Sequence, residues 1–153
     1  MLVLRPADAE ETTIAWKLAM ENVYTPTALI LSRQNIANLP DGTDYAQVAK
    51  GAYVIAGADE NPDVILVASG SEVSTLVAGA ELLRKDGVKL RIVSAPSEGL
   101  FRSQDKAYQE SVLPTGAKIF GLTAGLPVNL QGLAGANGKV FGLESFGFSA
   151  PYK

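Results

Sequence analysis

Arg33 stands in the stretch LSRQN, residues 31 to 35, directly after an apolar run and before a polar loop. Its guanidinium is a planar fork that matches phosphate or carboxylate geometry. The carboxyl end of a buried strand in a parallel sheet is where ligands gather. The same residue also reads as a solvated charge closing a strand, and spacing alone leaves both readings open. A second candidate is VILVASGSEV, residues 64 to 73: a strand, a glycine turn and a helix. A helix N-terminus can hold an anion. Here the spacing is not G-x-G-x-x-G and no lysine stands in the P-loop position. Ser69 and Glu72 match a capping box instead, and Glu72 repels an anion at that end.

Other polar groups have structural explanations. Asp8, Glu10 and Glu11 lie in the first turn of a predicted helix, where the dipole favours negative charge. DENPD, residues 59 to 63, is a solvated turn, and GLAGANG, residues 132 to 138, is a flexible turn with no strand close before it. Trp16, spaced helically among apolar neighbours, is expected in the core.

What is missing narrows the chemistry further. The 153 residues contain no histidine and no cysteine. That removes the usual general base near neutral pH, the Ser-His-Asp triad, His-based zinc sites, thiolate nucleophiles and disulfides. The net charge of −3 argues against nucleic acid as a partner. No apolar run is long enough for a membrane helix, and the N-terminus lacks a signal-peptide pattern. Absence of cysteine fits a cytoplasmic setting.

The elements that must position these residues follow from periodicity. Residues 5 to 22 read as a helix, with Asp8 and Glu11 in capping-box spacing and Ala9, Thr13, Trp16, Met20 and Val23 on one face. Ala28 to Leu31 read as a buried strand. Turn formers at Asn35, Asn38, Pro40, Asp41 and Gly42 place a domain boundary between residues 36 and 48. GAYVIAGA, VILVASG, VKLRIVSAPS, AKIFGLTA and KVFGLESFG read as strands. The clearest helix is SEVSTLVAGAELLRKDG, with Val73, Leu76, Val77, Ala80 and Leu83 as its stripe, Glu81 and Lys85 as an i,i+4 pair and Gly87 as its stop. EGLFRSQDKAYQESVLP reads as a broken helix and GLPVNLQGLAGANG as one helical turn. Strand, helix, strand in succession predicts an α/β domain with a parallel sheet.

RPADAEETTIAWKLAMEN, TALILSRQN, PDVILVASGSEVSTLVAGAELL, RIVSAPS, LFRSQDKAYQESVLP and FGLESFGFSAP occur in the order and at the separations of the C-terminal portion of transketolase, which the chain resembles from Leu4 to Pro151. RPAD and LSRQN are the more specific motifs, while VASGSEV is shared with other thiamine-diphosphate enzymes. The resemblance implies the tail of a pyrimidine-binding domain over residues 1–40, a linker over 41–47, and a C-terminal domain over 48–153 that lacks a final helix. That domain is implied to be three-layered and Rossmann-like, with a mostly parallel sheet and one antiparallel strand.

The resemblance also implies transfer of a two-carbon ketol unit between sugar phosphates in the pentose phosphate pathway. Thiamine diphosphate and a divalent cation, magnesium or calcium, serve the full-length homodimer. By the same resemblance Arg33 binds substrate phosphate. No catalytic, cofactor-binding or metal-binding residue is assigned to this chain, which is expected to be inactive alone and to serve in assembly. The segment GLPVNLQGLAGANGKV departs from the family pattern, which places an aromatic such as tryptophan near this point. The alternative is a stand-alone anion-binding or regulatory module of the same fold, with its pocket at SGSEV.

Overall fold

The computed structural model describes residues 1–57 and 61–147. Part of the DENPD turn and the last residues of the FGLESFGFSAP stretch lie outside that range. The chain opens with β1 (Leu2–Leu4), which sequence periodicity did not predict, followed by α1 (Ala9–Glu21) and β2 (Thr27–Leu29). Strands β1 and β2 pair in parallel as a two-stranded sheet, Leu2 opposite Thr27 and Leu4 opposite Leu29. A crossover helix between two parallel strands is what a right-handed βαβ unit requires. Gly42 closes the Asp-Gly turn at φ 84, and a short 3₁₀ helix follows at Tyr45–Lys50.

The main sheet is built from β3 (Tyr53–Ala56), β4 (Val64–Ala68), β5 (Leu90–Ser94), β6 (Ile119–Leu122) and β7 (Lys139–Phe141). Their order across the sheet is β3-β5-β4-β6-β7, and only the β3–β5 pairing is antiparallel. The central strands read as unbroken apolar runs because both of their faces are covered. On β4, Leu66 and Ala68 pack toward α2 (Glu72–Lys85), whereas Ile65 and Val67 pack toward the opposite layer. That second layer holds α3 (Glu98–Arg102), α4 (Lys106–Val112) and α5 (Val128–Ala134). The result is the three-layer α/β architecture that the family resemblance implies, with the parallel sheet that periodicity predicts.

Four local expectations are corrected. The α1 face carrying Ala9, Thr13, Trp16, Met20 and Val23 points outward, and Trp16 is 54% exposed. The packed face is Glu11, Ala15, Ile14 and Leu18, a register hidden because it contains a carboxylate. Ala28 to Leu31 is not a buried strand: β2 is half-buried, and Ile30 and Leu31 are each 49% exposed. Glu81 pairs with Arg84 at 2.6 Å rather than with Lys85. Helix α5 runs seven residues, longer than one turn, because Leu130, Leu133 and Ala134 bury against β6 and β7.

Candidate functional site

Arg33 follows β2 at its carboxyl end. The Ile30 N–H donates to the Leu4 carbonyl at 2.9 Å, which extends the β1–β2 ladder by one bond. The chain then leaves the sheet through residues 31 to 38, largely exposed, and re-enters the core at Leu39. Within the loop, the Gln34 N–H donates to Ser32 Oγ at 3.0 Å, a local turn bond. Arg33 is exposed, and among the described residues it makes no hydrogen bond or ion pair. Its five donors are therefore unengaged by the protein. A hollow of about 350 Å³ lies under the loop, between Leu31, Ser32, Gln34, Asn35 and Ile36 on one side and the first turn of α1 on the other.

Two carboxylates of that first turn are buried, and their burial was not legible in the sequence. Asp8 caps α1, accepting from the Glu11 N–H at 2.8 Å. Its other oxygen accepts from the Leu39 N–H at 2.9 Å and from the Tyr45 hydroxyl at 2.6 Å. Glu11 reaches back to the Ala7 N–H at 2.7 Å, one residue earlier than a standard capping box. Its second oxygen accepts from Tyr53 at 2.8 Å and Ser94 at 2.6 Å, tying α1 to β3 and β5. Burial raises the Glu11 carboxyl above its usual range, against the lowering effect of bonds from Ser94, Ala7 and Tyr53, and the Asp8 charge adds to the rise. Burial and the two facing carboxylates likewise push the Tyr45 and Tyr53 hydroxyls up, so both remain donors.

The turn after β4 lies at the switch point of the sheet. The chain leaves β4 toward α2 on one face and leaves β6 toward α5 on the other, so a crevice opens between them. A cavity of about 600 Å³ sits there, reached by Arg5, Ser69, Thr123, Gly125 and Asn129. Arg5 occupies its mouth on the α2 side: the guanidinium donates to the Ser69 carbonyl and pairs with Glu72 in the first turn of α2. Burial would raise the Glu72 carboxyl, but the bonds from Arg5 and Ser71, the Arg5 charge and the Ala124 N–H outweigh it and hold it below the usual range.

The expected Ser69–Glu72 capping box does not form. The helix starts later, behind Ser71, and Ser69 serves Arg5 instead. The Gly70 N–H donates to the Arg5 carbonyl at 3.0 Å and the Val73 N–H to the Gly70 carbonyl at 3.1 Å. The Gly70 and Val73 N–H groups are thus engaged, and the Glu72 carboxylate stands where an anion would arrive.

The donor set does not fit thiamine diphosphate or its cation. Among the described residues no three carboxylate, histidine or cysteine side chains cluster to hold a metal. Asp8 and Glu11 each accept three bonds from N–H and O–H donors of the chain, an arrangement that stabilises the carboxylates in place of a cation. A diphosphate at α2 would meet Glu72. The structure brings Asp8 and the Arg33 loop together across one hollow, and the start of that loop, Leu31 and Ser32, also borders Gly70 and Ser71 of the α2 turn. Sequence reasoning missed Arg5, Tyr45, Tyr53 and Ser94 as partners of this region.

Residues 51–153 match the transketolase-like TK C-terminal domain family. Over 150 residues the chain is 46% identical to the probable transketolase of Streptococcus pneumoniae, covering 97% of this chain and 23% of that protein. It is 42% identical over 154 residues to a transketolase of Staphylococcus aureus, with 99% and 23% covered. The chain thus spans about a quarter of the length of these relatives. Among solved structures, a Pichia stipitis transketolase in complex with sedoheptulose 7-phosphate superimposes with a TM-score of 0.88 at 37% identity, over 97% of this chain and 21% of that one. A split-gene transketolase in an inactive β4 tetramer shares the fold alone, with a TM-score of 0.73 at 20% identity over 95% of this chain and 49% of its own.

Proposed function

Given that this chain belongs to the transketolase family, as a C-terminal portion of such an enzyme, we propose that it contributes to ketol transfer by supplying Arg33 to the phosphate of a sugar-phosphate substrate. On this reading the whole enzyme moves a two-carbon ketol unit from a ketose phosphate to an aldose phosphate. Thiamine diphosphate and magnesium or calcium serve the reaction from parts of the enzyme outside these residues, and no step of it is assigned to a residue here. The observation that carries the proposal is the superposition, over 97% of the chain, on a transketolase that holds sedoheptulose 7-phosphate. The position of Arg33 supports it: a guanidinium at the carboxyl end of a parallel strand, exposed and uncommitted within the described chain. An arginine there grips a phosphate with two parallel charge-assisted bonds, which a lysine reproduces only as a point charge.

The same reading places residues 1–40 in the tail of a pyrimidine-binding domain, 41–47 in a linker and 48–153 in the C-terminal domain, within a cytoplasmic homodimer. The chain alone is expected to be inactive and to serve in assembly, since it has no histidine for proton transfer. Two experiments test this. The purified 153-residue chain is assayed for ketol transfer with added thiamine diphosphate and magnesium, and turnover would sink the inactive-part reading. In a complete transketolase carrying this segment, Arg33→Ala is expected to raise KM for phosphorylated substrates by at least about tenfold while sparing unphosphorylated ones. Equal effects on both would remove the phosphate role. The anion-binding module reading is disfavoured by Glu72 at the α2 turn and by the engaged Gly70 and Val73 N–H groups.

A further inference from the structure

We infer that Asp8 is the positioning residue for Arg33: its buried carboxylate pins the far end of the loop that carries the arginine. This inference rests on the reading of Arg33 as a phosphate ligand and adds to it the group that sets where the guanidinium stands.

The loop hangs between two posts. The first is the sheet, where Ile30 N–H meets the Leu4 carbonyl at 2.9 Å. The second is Leu39, whose side chain is buried in the core beside Ala7 and Val48 and whose N–H donates to Asp8 Oδ2 at 2.9 Å. Between the posts, the described bonds of residues 31 to 38 are those within Ser32 and Gln34. A loop so lightly tied internally takes its shape from its ends. Arg33 lies three residues past the first post and six before the second.

Asp8 suits the role because it is itself immobilised from three directions. It is 5% exposed. One oxygen caps α1 through the Glu11 N–H at 2.8 Å, and the other is shared by Leu39 and the Tyr45 hydroxyl. Tyr45 opens the 3₁₀ helix, whose Val48 is fully buried. Next to Asp8, Glu11 locks the same turn of α1 to β3 and β5 through Tyr53 and Ser94. The position of Leu39 is therefore referred, through two carboxylates, to the central sheet. Asp8 also lines the hollow beneath residues 31 to 36, so the loop arches directly over it. N-capping alone asks for neither of the two Oδ2 bonds, because serine or threonine caps a helix about as well. A charged group buried for capping only would be a costly choice. The second oxygen is what the loop uses.

That difference supplies the test. Asp8→Ser keeps a cap for α1 and is too short to reach Leu39 and Tyr45. Asp8→Asn keeps the cap and the volume, and turns an acceptor facing the Leu39 N–H into a donor. In the 153-residue chain, hydrogen exchange and ¹⁵N relaxation are read at the α1 amides, at Leu39, at residues 32 to 38 and at Arg33 Nε. In both variants α1 is expected to keep its protection, Leu39 to exchange about tenfold faster, and residues 32 to 38 and Arg33 Nε to lose order. An ordered loop after Leu39 is freed overturns the inference. So does a loop that loosens only together with α1, since Asp8 would then be a cap and nothing more.

The kinetic arm uses a complete transketolase carrying this segment. Asp8→Ser is expected to raise KM for a phosphorylated acceptor about 10- to 100-fold with kcat held within about twofold, and to leave an unphosphorylated hydroxyaldehyde unaffected. If Arg33→Ala shows that pattern and neither Asp8 variant does, Asp8 does not position Arg33 and the phosphate role stands. If Arg33→Ala itself has no such effect, the phosphate reading fails, and the relaxation data alone then decide whether Asp8 anchors the loop.

Discussion

Replacing Tyr53 by phenylalanine removes one oxygen from an almost fully buried polar cluster and changes almost no volume. Glu11, fully buried, accepts three bonds: 2.7 Å from the Ala7 N–H, 2.8 Å from Tyr53 and 2.6 Å from Ser94. Taking one donor from a buried carboxylate costs about 2 kcal/mol, the range for hydrogen bonds to charged groups. With a urea m-value of about 2 kcal/mol/M for a domain of this size, the midpoint moves down by about 1 M.

The pH dependence gives a second handle. Glu11 is raised from an ordinary 4.5 by burial, so the folded protein holds that proton more tightly than the unfolded chain. Stability therefore declines as pH rises from about 4.5 through the folded value. Tyr53→Phe strips a bond that favours the charged form, pushes the folded value higher and widens that window. The loss is then larger near pH 8 than near pH 4.5, because the missing bond matters most to the charged carboxyl. Urea titrations at both pH values, followed by far-ultraviolet circular dichroism, read the difference. A midpoint shift below about 0.3 M, or one equal at both pH values, would refute the claim that Tyr53 stabilises a buried charge.

Arg5→Met leaves the partly buried Glu72 without its cationic partner and is expected to cost about 1–2 kcal/mol in urea melts near neutral pH. Because Glu72 is held below its ordinary 4.5, the pair's contribution is present above that value and vanishes as pH falls through the folded one; adding Glu72→Gln to Arg5→Met should restore more than half of the loss. Gly79→Ala, inside α2 with open space where a methyl would stand, should stabilise by about 0.5–1 kcal/mol and raise the thermal midpoint by a few degrees. An inorganic phosphate titration should leave the Gly70 to Val73 amide resonances unmoved, since the Gly70 and Val73 N–H groups are engaged and Glu72 faces the approach; a saturating shift there would revive the module reading.

The central layer was legible because both of its faces are covered. Val64 to Ala68 are continuously apolar and form β4 at those bounds, and the stripe of Val73, Leu76 and Ala80 is the buried face of α2. Reading failed where a polar residue stands in for an apolar one. On α1, Glu11 occupies the packed face, and its acceptability depends on Tyr53 and Ser94, which lie 42 and 83 residues away. No local periodicity carries that information, so spacing alone turns Trp16 and Met20 inward. The strand β1 was missed because three residues give no period to read. The Ser69–Glu72 spacing was a true pattern with the wrong consequence: Arg5, some 64 residues upstream, took Ser69 for itself. Sequence reads the Arg33 loop as following a strand, and β2 ends four residues before the arginine, while the loop's tether through Leu39 to Asp8 spans 31 residues and shows only in three dimensions.

The outward turn of α1 has an optical consequence. The chain has one tryptophan, and that residue is 54% exposed in the folded state. Its indole is already bathed in water, so its emission starts near the red limit and unfolding has little further to shift it. Tryptophan-selective emission therefore reports poorly on the core. It responds instead to whatever covers Trp16, Met20 and Val23, and a blue shift on mixing would report contact at that helix face before any activity is measured.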